Sequence, residues 1–261
     1  MRAEAVARLQ LETDLRHGLE RKELRLVYQP IVNLESTAIV GFEALVRWQH
    51  PKQGFISPAA FIPLAEDTGL IVPVGEFVLM EACRQAARWR SLPAGAHLRV
   101  SVNISSKQMS QGDLVAAVQK ALDDAKLDRA ALHLEITESA IMQNTESAYG
   151  LIERIRAIGC SFAVFDFGTG YSSLSYIHRF AIDQLKIDSS FLQSSERKSA
   201  EIIRSIIDLG RSLGIDVVAE GIETNEQADH LRRLQCGFGQ GYLFSRPVDA
   251  EKALDMVRNV L

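Results

Sequence analysis

Cysteine is scarce in this chain. Cys83, Cys160 and Cys236 are the only three in 261 residues. Odd in number and widely spaced, they argue against a disulfide framework or a zinc site and for reduced thiols. No apolar run approaches the roughly 20 residues that a membrane span requires. The opening Met1-Arg-Ala-Glu-Ala-Val6 sets charges among its first apolar positions, so it has no signal-peptide core. The chain therefore reads as cytoplasmic, alone or as the cytosolic part of a longer, membrane-anchored parent. A basic excess is also missing: 29 Lys and Arg against 33 Asp and Glu leave a net charge of −4. That removes support for binding a nucleic acid polymer, though not for a local basic spot that meets a small phosphate ligand. No Walker A loop, internal repeat or low-complexity stretch occurs, and the six histidines are scattered without metal spacing. Asp166-Phe-Gly168 copies the kinase metal-binding triplet without its companion motifs. Gly237-Phe-Gly-Gln-Gly241 lacks the spacing and downstream acid of a dinucleotide fingerprint. Trp48 and Trp89 read as packing residues.

What is present is an ordinary globular composition, 47% hydrophobic and 24% charged. Residues 2–23 read as a helix, and the division expected is a linker helix over 1–23 and one domain over 24–261. Strand-length apolar runs follow at 25–32, 38–47, 97–104, 131–136, 161–166, 183–187, 215–220 and 238–244. Helix-period segments fall at 58–66, 74–90, 111–126, 144–158, 199–213, 225–235 and 249–260. Gly159, Gly214 and Gly237 stand where helices end and strands begin. Eight strands with interleaved helices predict an α/β fold, a TIM-like (β/α)₈ barrel. The linker Asn33-Leu-Glu-Ser36 is too short for a helical crossover, so the first two strands pair antiparallel and one barrel strand is reversed. An open doubly wound sheet fits the same alternation as the runner-up.

Polar residues gather at the strand ends. Ser161-Phe-Ala-Val-Phe-Asp166 is an apolar strand that ends in a carboxylate and turns into a Gly-rich loop. Glu43, Asn103, Glu135, Lys186 and Glu220 occupy matching places on other strands. In a barrel all six converge on the C-terminal face. Four carboxylates at one point need cations, and oxygen-only donors favour Mg²⁺ or Mn²⁺ over zinc. Such a constellation suits metal-assisted phosphoester hydrolysis, with Lys186 at the attacking water and Arg47 placed to clamp a phosphate.

Several ordered motifs carry a family resemblance from about residue 24 onward: Tyr28-Gln-Pro30, Glu43-Ala-Leu-Val-Arg47, Val102-Asn-Ile-Ser105, Glu135-Ile-Thr-Glu138, Asp166-Phe-Gly-Thr-Gly-Tyr-Ser-Ser-Leu174, Leu185-Lys-Ile-Asp188, Val218-Ala-Glu-Gly-Ile-Glu223 and Gly239-Gln-Gly-Tyr-Leu-Phe244. Together they resemble EAL domains, the bacterial cyclic-di-GMP phosphodiesterases. The resemblance implies Glu43, Asn103, Glu135, Asp166 and Glu220 as metal ligands and Lys186, Glu43 and Glu220 as catalytic residues. It implies Gln29, Leu45, Arg47 and Gln240 as nucleotide-binding residues. Glu138 would anchor the Gly-rich loop, and a homodimer would form through the 171–179 region. The implied reaction opens cyclic di-GMP to linear pGpG. The chain departs from the pattern at one place: active members carry Asp-Asp before Phe-Gly-Thr-Gly, and here the pair is Phe165-Asp166. Phenylalanine offers no lone pair. The expectation is a cyclic-di-GMP-binding domain with impaired or lost hydrolysis. The alternative is an active metal-dependent phosphodiesterase, and a third reading is an interaction module without ligand.

Overall fold

Alternation along the strands separates two faces with opposite duties. The computed structural model describes residues 2–143, 145–168, 179–194 and 197–258. In β1 (Leu24–Asn33), Leu26, Tyr28 and Val32 are buried on the side of the helical layer, and Gln29 and Ile31 take the other face. β5 (Leu132–Thr137) repeats the division, with Leu132, Leu134 and Ile136 fully buried while His133 and Glu135 line cavities inside the ring.

The other strands are β2 (Ile39–His50), β3 (Gly54–Ile56), β4 (Arg99–Asn103), β6 (Ser161–Phe167), β7 (Gln184–Ile187), β8 (Asp216–Ala219) and β9 (Phe238–Gly239). Among the described residues, eight of the nine strands close a ring in the order β1-β2-β4-β5-β6-β7-β8-β9, and β3 hangs on β2 as an outer hairpin. β1 runs antiparallel to both of its neighbours, and every other pair in the ring is parallel. Closure excludes the doubly wound sheet and makes β1 the reversed strand. Helices cover the outside. The helix Ile71–Arg90 packs Trp89 edge-on to Tyr28, with ring centroids 5.0 Å apart, and against Phe42 at 4.5 Å. Trp48 and Trp89 are both fully buried packing residues, and the three cysteines are buried free thiols.

Several boundaries differ from the sequence expectation. The first helix is Arg2–Glu20, shorter than 2–23, and Lys22 beyond it turns left-handed at φ 59°. The helix expected over 111–126 spans Leu114–Ala125, starting on the Asp113 cap, and a separate short helix, Ser106–Ser110, precedes it on the Ser105 cap; each cap side chain accepts a backbone N–H. Gly159 and Gly214 do take left-handed φ, but after the helix Asn225–Arg233 that role falls to Gln235 rather than Gly237. The strand foreseen over 238–244 stops at Gly239. There the chain folds back over the segment after β8, so tightly that a Cβ at Gly241 would lie 2.1 Å from the Ile222 carbonyl oxygen. The short helices Glu138–Gln143 and Ser189–Gln193 and the hairpin strand β3 were not foreseen.

Candidate active site

Strand pairing brings the polar residues together. Glu135 stands in register with Asn103 on one side, and Gln29 stands opposite Glu43. These residues share the inward parity of their strands and meet at the C-terminal mouth. A cleft of about 460 Å³ there is lined by Gln29, Glu43, Leu45, Asn103, Glu135, Phe165, Asp166, Lys186, Glu220 and Gln240. Glu43 sits in the middle of β2 rather than at its end, because β2 continues to His50 to form the hairpin with β3.

The Lys186 ammonium is the hub. It lies 2.6 Å from Glu135 Oε2, 2.6 Å from Glu220 Oε1 and 3.3 Å from Glu43 Oε2. Asn103 Nδ2 donates to Glu43 Oε1 at 2.7 Å. Gln240 Nε2 donates to Glu43 Oε2 at 2.7 Å and to Gln29 Oε1 at 3.0 Å. Burial works against the Lys186 charge, but the three carboxylates outweigh it and hold its pKa well above the ordinary value. Burial pushes the Glu135 carboxyl up to about 7, with Lys186 opposing and the neighbouring carboxylates adding. Glu220 is raised mainly by burial. For Glu43, burial raises the pKa, but Lys186 and the donors Asn103 and Gln240 together bring it below the usual value.

Asp166 reaches the cleft by an irregular route. Period-two alternation assigns the inward face of β6 to Phe165 and would turn Asp166 away. A left-handed φ of 56° at Asp166, within a break in the β6–β7 register between residues 164 and 167, brings it back to the cleft. Burial, and then the neighbouring carboxylate of Asp188, raise its pKa. Asp188 is a site neighbour that the sequence reading does not include. Its position two residues after Lys186 carries the same strand parity, which was the available signal.

Phe165 stands at a seam. It lines the acidic cleft and also a pocket of about 330 Å³ beside it, and these two cavities share Leu45, Asn103 and Phe165. The second pocket is walled mainly by apolar side chains such as Ile62, Val74 and Val78. It contains Arg47, whose Nη1 donates to the Val46 carbonyl at 2.9 Å. Arg47 thus lines the apolar pocket, while the Glu43 carboxylate of the adjoining cleft acts on its charge. Glu138 is buried and its Oε2 accepts from Gly168 N at 3.4 Å, at the start of the Gly-rich loop. The rest of that loop, and residues 171–178 of the expected dimer region, lie outside the described residues.

The donor set fits a hard cation. Carboxylate oxygens of Glu43, Glu135 and Glu220 lie within 4.8 Å of one another. Glu135 Oε1 is buried without a hydrogen-bond partner among the described residues. Oxygen donors alone are the set that Mg²⁺ and Mn²⁺ take.

A closed barrel with one reversed strand, carrying an acidic centre able to hold a metal ion, defines the class of protein. The EAL domain model matches residues 12–247, and the chain belongs to the EAL domain family. It is 45% identical over 260 residues to the bifunctional diguanylate cyclase/cyclic di-GMP phosphodiesterase MucR of Pseudomonas aeruginosa, covering 98% of this chain and 38% of MucR. It is 44% identical over 248 residues to the cyclic di-GMP phosphodiesterase NbdA of the same organism, covering 94% of this chain and 31% of NbdA. A solved complex of the PaMucR phosphodiesterase with c-di-GMP superposes with a TM-score of 0.90 at 43% identity, covering 94% of this chain and 99% of that one. The chain thus spans about a third of the length of the curated relatives it matches. No helix among the described residues is long and apolar enough to cross a membrane.

Proposed function

We propose that this chain binds cyclic di-GMP across the acidic cleft and the adjoining apolar pocket, acts as a receptor in second-messenger signalling, and hydrolyses the ligand to pGpG slowly or not at all. The observation that carries the reading is the Phe165 ring at the seam of the two cavities, at the position where the family resemblance implies a carboxylate. The cyclic dinucleotide is a dianion with two flat bases. The apolar pocket offers a wall for a base, with Arg47 as its cation. Gln29, Leu45 and Gln240 border the cleft on the same side of the ring.

Glu43, Asn103, Glu135, Asp166 and Glu220 are the residues to hold Mg²⁺ or Mn²⁺. A bound pair of ions supplies Lewis-acid stabilisation and orients the attacking and leaving oxygens. Phe165 withdraws one oxygen donor from that set. Lewis-acid stabilisation is worth several kcal/mol, and at about 1.4 kcal/mol per tenfold its partial loss costs roughly two to four orders of magnitude in turnover. Lys186 keeps its proton at Nζ and holds Glu135 and Glu220 in place, with or without an ion beside them.

A second reading, an active phosphodiesterase, is favoured by one observation: Asp188 brings another carboxylate beside Asp166. Turnover separates the two. Cyclic di-GMP is incubated with Mn²⁺ and either this chain or Phe165→Asp, and the products are chromatographed. The receptor reading expects pGpG from the variant at 100-fold or more above this chain. Comparable pGpG production by both would support the enzyme reading instead. Dimerisation through 171–179 belongs to the same proposal. Of that region the structure describes Arg179, which pairs with Glu146 at 2.8 Å and lies over the Tyr149 ring.

A further inference from the structure

The opposite mouth of the barrel holds a third cavity, of about 260 Å³, that the proposed function does not use. It lies at the N-terminal ends of β4, β5, β7 and β8. His133 and Gln184 reach it from strand positions two residues before Glu135 and Lys186. Both side chains are more than nine-tenths buried, and both have a buried polar atom without a hydrogen-bond partner among the described residues: His133 Nε2 and Gln184 Oε1. Buried polar atoms of this kind are satisfied by something, be it water or a ligand group.

The rim above them carries opposite charges. Arg99 and Asp216 both line the cavity and feel one another electrostatically, yet no ion pair joins them among the described residues. Asp183, the other carboxylate nearby, is already taken: its Oδ2 accepts from Arg156 Nη1 at 2.5 Å and from Phe162 N at 2.8 Å. One guanidinium and one carboxylate thus remain open at the rim. The remaining wall includes the apolar side chains of Ile31 and Phe238. The acidic cluster with metal-ligating geometry found among the described residues is at the other mouth.

A rim with one charge of each sign selects a ligand with one of each. The volume lies just under the usual range of about 300–1,000 Å³ for ligand pockets, so the ligand is small. We propose that this lower mouth is a binding site for a free α-amino acid. Arg99 takes the carboxylate, Asp216 takes the ammonium, and the side chain points inward toward His133 Nε2 and Gln184 Oε1. An amino acid whose side chain ends in an amide or hydroxyl satisfies both buried atoms at once. The site is independent of the nucleotide reading, since none of its residues lines the upper cleft.

The test is isothermal titration calorimetry of the intact chain with each of the twenty free amino acids, and with acetate and ethylamine as single-charge controls. The expected result is saturable binding of at least one polar amino acid. Neither control should bind within tenfold of it. Arg99→Ala and Asp216→Ala should each weaken it tenfold or more. Both rim residues are exposed, so these variants keep the fold, which is checked by circular dichroism and by an unchanged melting temperature. His133→Gln should weaken the same amino acid while leaving acetate unaffected. No heat from any amino acid at millimolar concentration overturns the proposal and leaves water as the occupant. Binding that survives Arg99→Ala, or acetate binding as tightly as the amino acid, overturns it as well.

Discussion

At the scale of single residues, the acidic centre depends on one ammonium. Lys186 is 1% exposed and faces three carboxylates. Removing one partner from such a buried network leaves charge uncompensated, at a cost of about 3–5 kcal/mol. Lys186→Met is therefore expected to lower the melting temperature by about 10 °C. Mn²⁺ should restore part of the loss, because a cation can again meet Glu43, Glu135 and Glu220. An unchanged melting temperature would show that the carboxylates escape to solvent and that the hub is not structural. Phe165 acts in the opposite sense. It adds a ring where a further charge would repel its neighbours, so Phe165→Asp, expected to gain turnover, should lose stability in metal-free buffer. Calorimetric melting of both proteins in EDTA checks this, and a variant at least as stable as the parent contradicts it.

At the scale of elements, the barrel is held by close approaches between loops as much as by its ladder. The loop after β9 returns to the loop after β8, with Leu243 N donating to the Ile222 carbonyl at 3.0 Å. Gly241 allows that approach, and a methyl group there would collide with backbone that has no rotamer to change. Gly241→Ala is expected to destabilise the fold by about 1–3 kcal/mol. It should also weaken cyclic-di-GMP binding, because Gln240, which donates to Glu43, is the adjacent residue. Chemical denaturation and a binding isotherm measure the two effects, and normal values for both would contradict this account of the loop. By contrast, the helix Asn225–Arg233 starts on a capping box of Thr224 and Gln227 that any local reading can find.

At the scale of the whole molecule, the ring couples the centre to global stability, since its carboxylates come from β2, β5 and the segment after β8. An ion bound only by the folded state adds about 2.7 kcal/mol at 100 times its Kd. Mn²⁺ is expected to raise the melting temperature by about 5–10 °C, and Glu135→Gln should abolish most of that rise. A shift that persists in Glu135→Gln would place the ion elsewhere. The proposed homodimer is read by light scattering at tens of micromolar, where a monomeric mass would contradict it.

Local chemistry wrote much of this molecule into its sequence. The alternating strands, the helix periods and the four-residue linker at 33–36 determined a (β/α)₈ ring with one reversed strand. The inward parity of Glu43, Asn103, Glu135, Lys186 and Glu220 then followed, because side-chain direction in a strand depends only on position along it. Tertiary structure decided what depends on contact between distant segments. The hairpin carries β2 past Glu43, the close packing at Ile222 ends β9 at Gly239, and the left-handed turn at Asp166 brings it beside Asp188. The same holds for the apolar pocket that Arg47 lines beside the acidic cleft, which no local pattern announces. Neither cavity nor charge partner has a local period, since each exists only where strands far apart in the chain have closed against one another.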